Sequence, residues 1–424
     1  MDVLTKNKYL TKENVAAAAT VLKPIVAHTP LQYSAYLSQK YQCRVYLKRE
    51  DLQIVRSFKL RGAYYAIDQT PPTVRKKGIV CASAGNHAQG VAWTCHQLNI
   101  PATIFMPTTT PKQKISQVRF FGQEQVTIKL VGDTFDTSAQ AAQTYCQQYG
   151  LTFIAPFNDL RIMAGQGTAA VEIFADAQQQ KLPINYLFSA VGGGGLISGL
   201  AAYTKAVSPL TQVIGVEPTG TASMKAAFKV GHPSTLPTMD KFVDGAAVKT
   251  VGELTYLNAH RYVDHLTTVP EGHVCTTLLE LYSKAAIVAE PAGALSVSAL
   301  DNFRTELVGK TVVCMISGGN NDIGRMQEIK ERSLIYEGKQ LYFVVNFPQR
   351  PGALKEFVNQ VLSPDDDITK FEYTKKVNRG KGPVLIGIRL GNRKNAAGLQ
   401  QRLQKFDPHY INLKENQTLY EMLV

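Results

Sequence analysis

A lysine, a run of four glycines and two further glycine-bearing strand ends carry the chemistry legible in this chain. Lys59 lies in SFKLRGA, from Ser57 to Ala63. Leu60, Ala63, Tyr64 and Ile67 repeat there at the i, i+3, i+4, i+7 spacing of a helix, with Ser57 placed to cap it. A lysine in a first helical turn faces the positive end of the helix dipole, a loss of roughly 0.3–1 kcal/mol. Arg61 adds a second cation two residues on. Both favour the neutral amine, which is a base and a nucleophile toward carbonyl carbon.

Gly192-Gly193-Gly194-Gly195 follows the apolar INYLFSAV and precedes LISGLAAYTKAV. Glycines at such a turn let a ligand approach the backbone and aim several N–H groups at one anion. A flexible loop is the bland alternative. No G-K-[ST] follows and G-x-G-x-x-G is not in register, so a bound phosphate belongs to something other than ATP or NAD. SAGNHAQG, Ser83 to Gly90, follows the strand GIVCA and forms a second anion site suited to a carboxylate. Ser83, Ala84, Gly85 and Asn86 form its mouth, and His87 is read as a helix-start residue. Plain N-capping would explain Ser83 or Asn86 but not the whole cluster. ISGGNND, Ile316 to Asp322, is a third glycine-rich strand end, with the neutral Ser317 hydroxyl at the crevice. Two anion sites, a lysine of lowered basicity and this third turn meet the requirements of pyridoxal phosphate with an amino-acid substrate.

Other chemistries are weakly supported. Glu217 and Asp244 could help a cation, but no His/Cys ligand spacing exists and no metal is expected. No Ser-His-Asp set is legible.

The elements that position these residues alternate. VYLKRE, GIVCAS, PATIFMP, VTIKLV, LTFIAPF, INYLFSAV, TQVIGVEP and TVVCMIS read as strands. HAQGVAWTCHQL, TFDTSAQAAQTYCQQYG and AGQGTAAVEIFADAQQQ read as helices between them. The class is α/β, with parallel sheets covered by helices and ligands at the carboxyl ends of strands. After Ser317 the charged, helix-like GRMQEIKERSLIYEGK reads as a connector. From Gln340 a β-α-β-β-α-β order follows: LYFVVNF, ALKEFVNQVL, DITKFEYTKK, VLIGIRLG, AAGLQQRLQKF and YINLK. That order is ferredoxin-like α+β. The expected division is residues 1–325, a connector at 326–339, and 340–424.

At 424 residues the chain exceeds one ordinary core. The net charge of +13 is spread in short clusters such as Arg75-Lys76-Lys77 and Lys375-Lys376, not in a basic face interleaved with aromatics, so no nucleic-acid partner is expected. The N-terminus lacks the apolar run of a signal peptide, and no segment has about 20 uninterrupted apolar residues, so no membrane partner is expected. Six scattered cysteines without a C-x-x-C pair fit a cytoplasmic protein.

KREDLQIVRSFKLRGA, CASAGNHAQGVA, GGGGL and SGGN, in that order, resemble the motifs of the fold-type II pyridoxal-phosphate enzymes over about residues 10–325. FPQRPGALKEF, Phe347 to Phe357, resembles the ACT-like regulatory domain of the biosynthetic threonine deaminases, in the form with one such module. The resemblance implies a fold of two parallel-rich α/β sheets with a C-terminal ACT-like domain. It implies that Lys59 holds pyridoxal phosphate as a Schiff base and later takes the Cα proton, and that Phe58 packs near the ring. Asn86 would bond the ring hydroxyl, Gly192, Gly193, Gly194, Gly195 and Leu196 would cradle the phosphate, and Ser317 would meet the pyridine nitrogen. Ser83, Ala84, Gly85, Asn86 and His87 would hold the substrate carboxylate. The implied reaction is elimination and deamination of L-threonine to 2-oxobutanoate and ammonia in isoleucine biosynthesis, with isoleucine and valine as effectors and a homotetrameric assembly. A catabolic serine/threonine dehydratase and a non-catalytic amino-acid sensor are the rival assignments. One departure stands out: relatives of the serine racemase type place acidic metal ligands just after G-V-E-P, where this chain has Thr221 and Ser223.

Overall fold

Strands whose residues are buried on both faces form the centre of the first unit. IVCA of Ile79–Ala82 and TVVCMI of Thr311–Ile316 are buried throughout, as parallel strands sandwiched between helices must be. The computed structural model describes residues 8–374 and 380–424, so Lys375-Lys376 and part of the glycine-rich NRGKGP turn lie outside the described residues. The chain divides into two units, Met1–Gly324 and Arg325–Val424.

The first unit holds two sheets. One is a four-stranded parallel sheet in the order Val126–Leu130, Ala102–Met106, Ile79–Ala82, Thr152–Phe153. The other has six strands in the order Leu31–Tyr33, Arg44–Arg49, Thr311–Ile316, Tyr186–Ala190, Gln212–Pro218, His265–Val269. All its pairings are parallel except that of Leu31–Tyr33 with Arg44–Arg49. The outer strands Leu31–Tyr33 and His265–Val269 escape sequence reasoning, because they are short and only partly buried. LTFIAPF is strand only at Thr152–Phe153; the rest turns away toward the site described below.

Two helices pack backbone to backbone under the site. A side chain at Gly165 would lie 2.6 Å from the Arg61 carbonyl oxygen, and one at Gly62 would lie 2.8 Å from that of Ile162. This brings Lys59–Asp68 against Leu160–Gln179.

In the second unit four antiparallel strands run in the order Asp367–Tyr373, Lys381–Arg389, Gln340–Pro348, Ile411–Asn412. Helices Ala353–Val361 and Ala396–Phe406 supply Phe357, Val361, Leu399 and Leu403 to a core with Phe343, Phe347 and Ile386. The β-α-β-β-α-β order is the one the sequence pattern predicts. The helix-like stretch read as a connector is a helix, Met326–Tyr336, and it belongs to this unit. Its Ile335 packs with Tyr342, Leu385 and Leu413, and Glu331 accepts a hydrogen bond from the Tyr342 hydroxyl. Its apolar residues find a face of the sheet, which a charged composition conceals.

Candidate active site

Lys59 is the first residue of its helix, but Ser57 does not cap it. The cap position falls to Phe58, without a side-chain bond. Strand Thr311–Ile316 runs parallel to Arg44–Arg49, so its end arrives beside the turn that leads to Lys59. The turn is stitched to it: Ser57 bridges Gly318, the Phe58 N–H donates to the Ser317 carbonyl at 3.1 Å, and the Gly319 N–H donates to the Arg56 carbonyl at 2.9 Å. With the backbone held this way, the Ser57 hydroxyl is buried without a partner among the described residues.

The Lys59 amine donates to the Pro156 carbonyl at 2.9 Å and lies 5.4 Å from the Phe58 ring centre. Burial draws its pKa down to about 8, against an opposing pull from the Glu290 carboxylate. The expected part of Arg61 in this is not realised. Arg61 is fully buried and bonded to two carboxylates, Glu50 and Glu172, which cancel its charge.

Phe157, next to the Pro156 acceptor, lies against the glycine run. A side chain at Gly193 would come within 2.2 Å of its ring. One at Gly192 would meet the Ala246 backbone at 2.9 Å, and Gly194 has φ +88 with Met224 and Thr255 beside it. Strand Tyr186–Ala190 delivers this turn and helix Gly195–Val207 leaves it. The N–H groups of Gly192, Gly193 and Gly194 donate to no described protein group, and those of Gly195 and Leu196 open the helix. A cradle that admits no Cβ, a set of unused donors and a buried amine fit the phosphate and aldehyde of pyridoxal phosphate.

Ser83, Ala84, Gly85 and Asn86 are partly exposed between strand Ile79–Ala82 and helix Asn86–Gln97. The Gly85 N–H donates to the Ser83 hydroxyl at 3.2 Å. His87 differs: its ring is buried, with Nε2 3.1 Å from the Ile154 carbonyl. Burial, helped by Lys59, pushes its pKa down to about 3, so the ring is neutral. Only its backbone N–H belongs to the loop mouth. Ser317 directly follows strand Thr311–Ile316 and is almost fully buried, its hydroxyl meeting no described partner.

Glu290 is the site residue that sequence reasoning misses. The Asn86 amide donates to its Oε1 at 2.7 Å, while the Asn320 amide donates to Asn86 Oδ1 at 2.8 Å and to the Val55 carbonyl at 2.9 Å. A side chain at Gly318 would sit 2.4 Å from the same Glu290 oxygen. Burial, with Asp244 adding to it, raises the Glu290 pKa to about 7. In the sequence, Glu290-Pro291 looks like an ordinary helix start, since proline favours the first helical position.

Glu217 is occupied otherwise. Its two oxygens accept the N–H groups of Met224 at 2.7 Å and Lys225 at 2.8 Å. Asp244 pairs with Lys114. Among the described residues no group of three or more His, Cys, Asp or Glu is placed to hold a metal, and no helix is long and apolar enough to cross a membrane.

Two families of known proteins match. One, "Pyridoxal-phosphate dependent enzyme", matches residues 22–318; the other, "C-terminal regulatory domain of Threonine dehydratase", matches residues 331–423. A biosynthetic L-threonine dehydratase of Lactococcus lactis subsp. lactis (strain IL1403) is 56% identical over 415 residues, 98% of this chain and 100% of that one. The processed form of threonine deaminase isoform 2 from Solanum lycopersicum superposes with a TM-score of 0.71 at 35% identity, covering 76% of this chain and 93% of that one. A serine racemase from maize superposes with a TM-score of 0.70 at 26% identity, over 77% and 99%.

Proposed function

The chain belongs to the pyridoxal-phosphate dependent enzymes and carries the C-terminal regulatory domain of threonine dehydratase, and from that premise we infer that it deaminates L-threonine to 2-oxobutanoate and ammonia, the first committed step of isoleucine biosynthesis. The observation that carries this is the Lys59 amine: enclosed, lowered in basicity to about 8, and held 2.9 Å from a carbonyl beside the glycine turn. The full-length likeness to biosynthetic threonine dehydratases supplies the substrate.

Bound here, pyridoxal phosphate supplies an aldehyde that takes up an amino group and a ring that accepts the electron pair left at Cα. Gly192 to Leu196 would hold its phosphate through backbone N–H groups. Phe58 would pack against its ring, Asn86 would meet the ring oxygen with its second amide hydrogen, and Ser317 would face the ring nitrogen. A neutral hydroxyl at that nitrogen draws charge into the ring less than a carboxylate does, which favours prompt loss of the β-hydroxyl. The substrate carboxylate would lie at Ser83, Ala84, Gly85, Asn86 and the His87 N–H, at the positive end of a helix. That leaves the Lys59 amine, near pKa 8, to take the Cα proton as general base.

We assign isoleucine and valine as effectors of the second unit, a homotetramer as the assembly and the cytoplasm as the compartment. The deciding experiment is a 2-oxo-acid assay of the purified chain with threonine and serine, with and without isoleucine and valine. Formation of 2-oxobutanoate from threonine, reduced by isoleucine, is the expected result. No product from threonine in cofactor-saturated protein would sink the assignment.

A further inference from the structure

Arg61 stands two residues from Lys59, and its guanidinium has no place in the chemistry above. It is completely buried, and all five of its N–H groups are used. Nε and Nη2 donate to the two oxygens of Glu50 at 2.8 and 2.7 Å. Nη1 donates to Glu172 Oε1 at 2.7 Å and to the Thr168 hydroxyl at 3.1 Å, and Nη2 also reaches Glu172 Oε2 at 2.9 Å. Lys48, equally buried, donates to Glu172 and to the Thr29 carbonyl, and the Thr29 hydroxyl donates to Glu50. Two cations face two carboxylates, so the cluster is balanced.

The cluster's location gives it a use. Successive helical residues are turned by about 100°, so Lys59 and Arg61 project to nearly opposite sides of their helix. Lys59 faces the Pro156 carbonyl, and Arg61 faces Glu50 and Glu172. Glu172 belongs to helix Leu160–Gln179, which begins three residues after Phe157. The same helix therefore carries one jaw of the clamp and starts beside the acceptor of the lysine. Glu50 follows directly on strand Arg44–Arg49, which pairs with strand Thr311–Ile316, the one that leads into Ser317. The planar fork bonds this helix in two directions, and Gly62 and Gly165 bring its backbone against that of the neighbouring helix.

We propose that Arg61 is a positioning residue, whose two-sided clamp on Glu50 and Glu172 fixes the helix so that only the Lys59 side chain moves during the reaction. A lysine at position 61 would keep the charge but could not bond both carboxylates in the fork geometry. This rests on the function proposed above, and the test separates the two.

Full-length Arg61→Lys and Glu172→Gln proteins would be compared with wild type in three measurements: kcat and KM for threonine, the absorbance and visible circular dichroism of the bound cofactor, and the rate at which an amine-reactive reagent labels Lys59 in the cofactor-free chain. For Arg61→Lys we expect kcat to fall on the order of 10–100-fold, as misplacement of a catalytic group does. KM should change little, because the carboxylate site is elsewhere. The dichroism and the labelling rate should both shift, with Glu172→Gln following in the same direction to a smaller extent. Arg61→Lys protein with wild-type kcat, dichroism and labelling overturns the proposal, as does a variant that loses only thermal stability. If Arg61→Lys does not fold, Glu172→Gln decides alone: its carboxylate is partly exposed, and unchanged dichroism and labelling there overturn the clamp. Wild-type protein inert toward threonine refutes the assigned reaction, while dichroism and labelling still judge the clamp.

Discussion

Asn86 donates its amide to the Glu290 carboxylate at 2.7 Å, which places a buried acid within the electrostatic reach of Lys59. Glu290 is raised to about 7, first by burial and then by Asp244. An acid whose folded pKa exceeds its unfolded value binds more protons in the native state between the two. Its contribution to stability is therefore full below about 4.5 and is lost as pH rises through about 7. A shift of this size amounts to on the order of 3 kcal/mol. Glu217, also raised to about 7 by burial, acts with the same sign. Glu290→Gln should thus be relatively more stable than wild type at pH 8 than at pH 5, keeping the Glu217 part of the slope and the opposing part from His87, which the unfolded chain protonates below about 6.5 and the native state does not. Thermal unfolding across that pH range checks it; equal slopes in both proteins would contradict the assignment.

Lys59→Ala should lose threonine turnover on the order of 10³-fold or more, since it removes both the carbonyl-bonding amine and the general base. The protein should still fold, because the helix keeps its buried residues Leu60, Ala63 and Ile67. Turnover and the visible absorbance of the purified protein report the two roles separately. A variant that keeps its activity removes Lys59 from the mechanism.

Gly193→Ala should weaken cofactor binding on the order of tenfold or more, because its Cβ would stand 2.2 Å from carbons of the Phe157 ring. The collision has one named partner, so a second change tests it. Gly193→Ala/Phe157→Ala should recover much of the affinity, while Phe157→Ala alone should be milder than Gly193→Ala. Cofactor titration followed by absorbance gives the three constants. Additive losses, without recovery, would show that the cradle fails for another reason.

The order of the motifs and the strand ends at Ser83, Gly192 and Ser317 are legible in the sequence, because apolar runs ending in glycine are local patterns. What the sequence conceals is which partners these turns meet. Ser57 has the residue type of a cap, yet its backbone is claimed by Gly318, far along the chain. Arg61 reads as a cation that weakens Lys59, yet Glu50 and Glu172 neutralise it from another strand end and another helix. Glu290 carries no local signal at all, because its importance comes from Gly245 and Gly318, which leave room for it. Local periodicity predicts elements; charge balance and free volume are settled between elements distant in the chain.

The second unit begins at Arg325 and includes helix Met326–Tyr336, so a chain ending at Gly324 removes it whole. A cut at Gln340 would instead leave that helix without the sheet residues that cover Ile335. Truncation after Gly324 should therefore leave threonine turnover and abolish its response to isoleucine. Phe347→Ala supplies a subtler form of the same test. Phe347 is fully buried among Phe357, Phe371 and Phe406, and removing such a ring costs about 3–5 kcal/mol. That loss falls on the core of the second unit, so isoleucine should lose its effect while kcat in its absence is retained. Activity measured against isoleucine concentration in both proteins gives the result. An undiminished response in the truncated chain would place the effector site among residues 1–324.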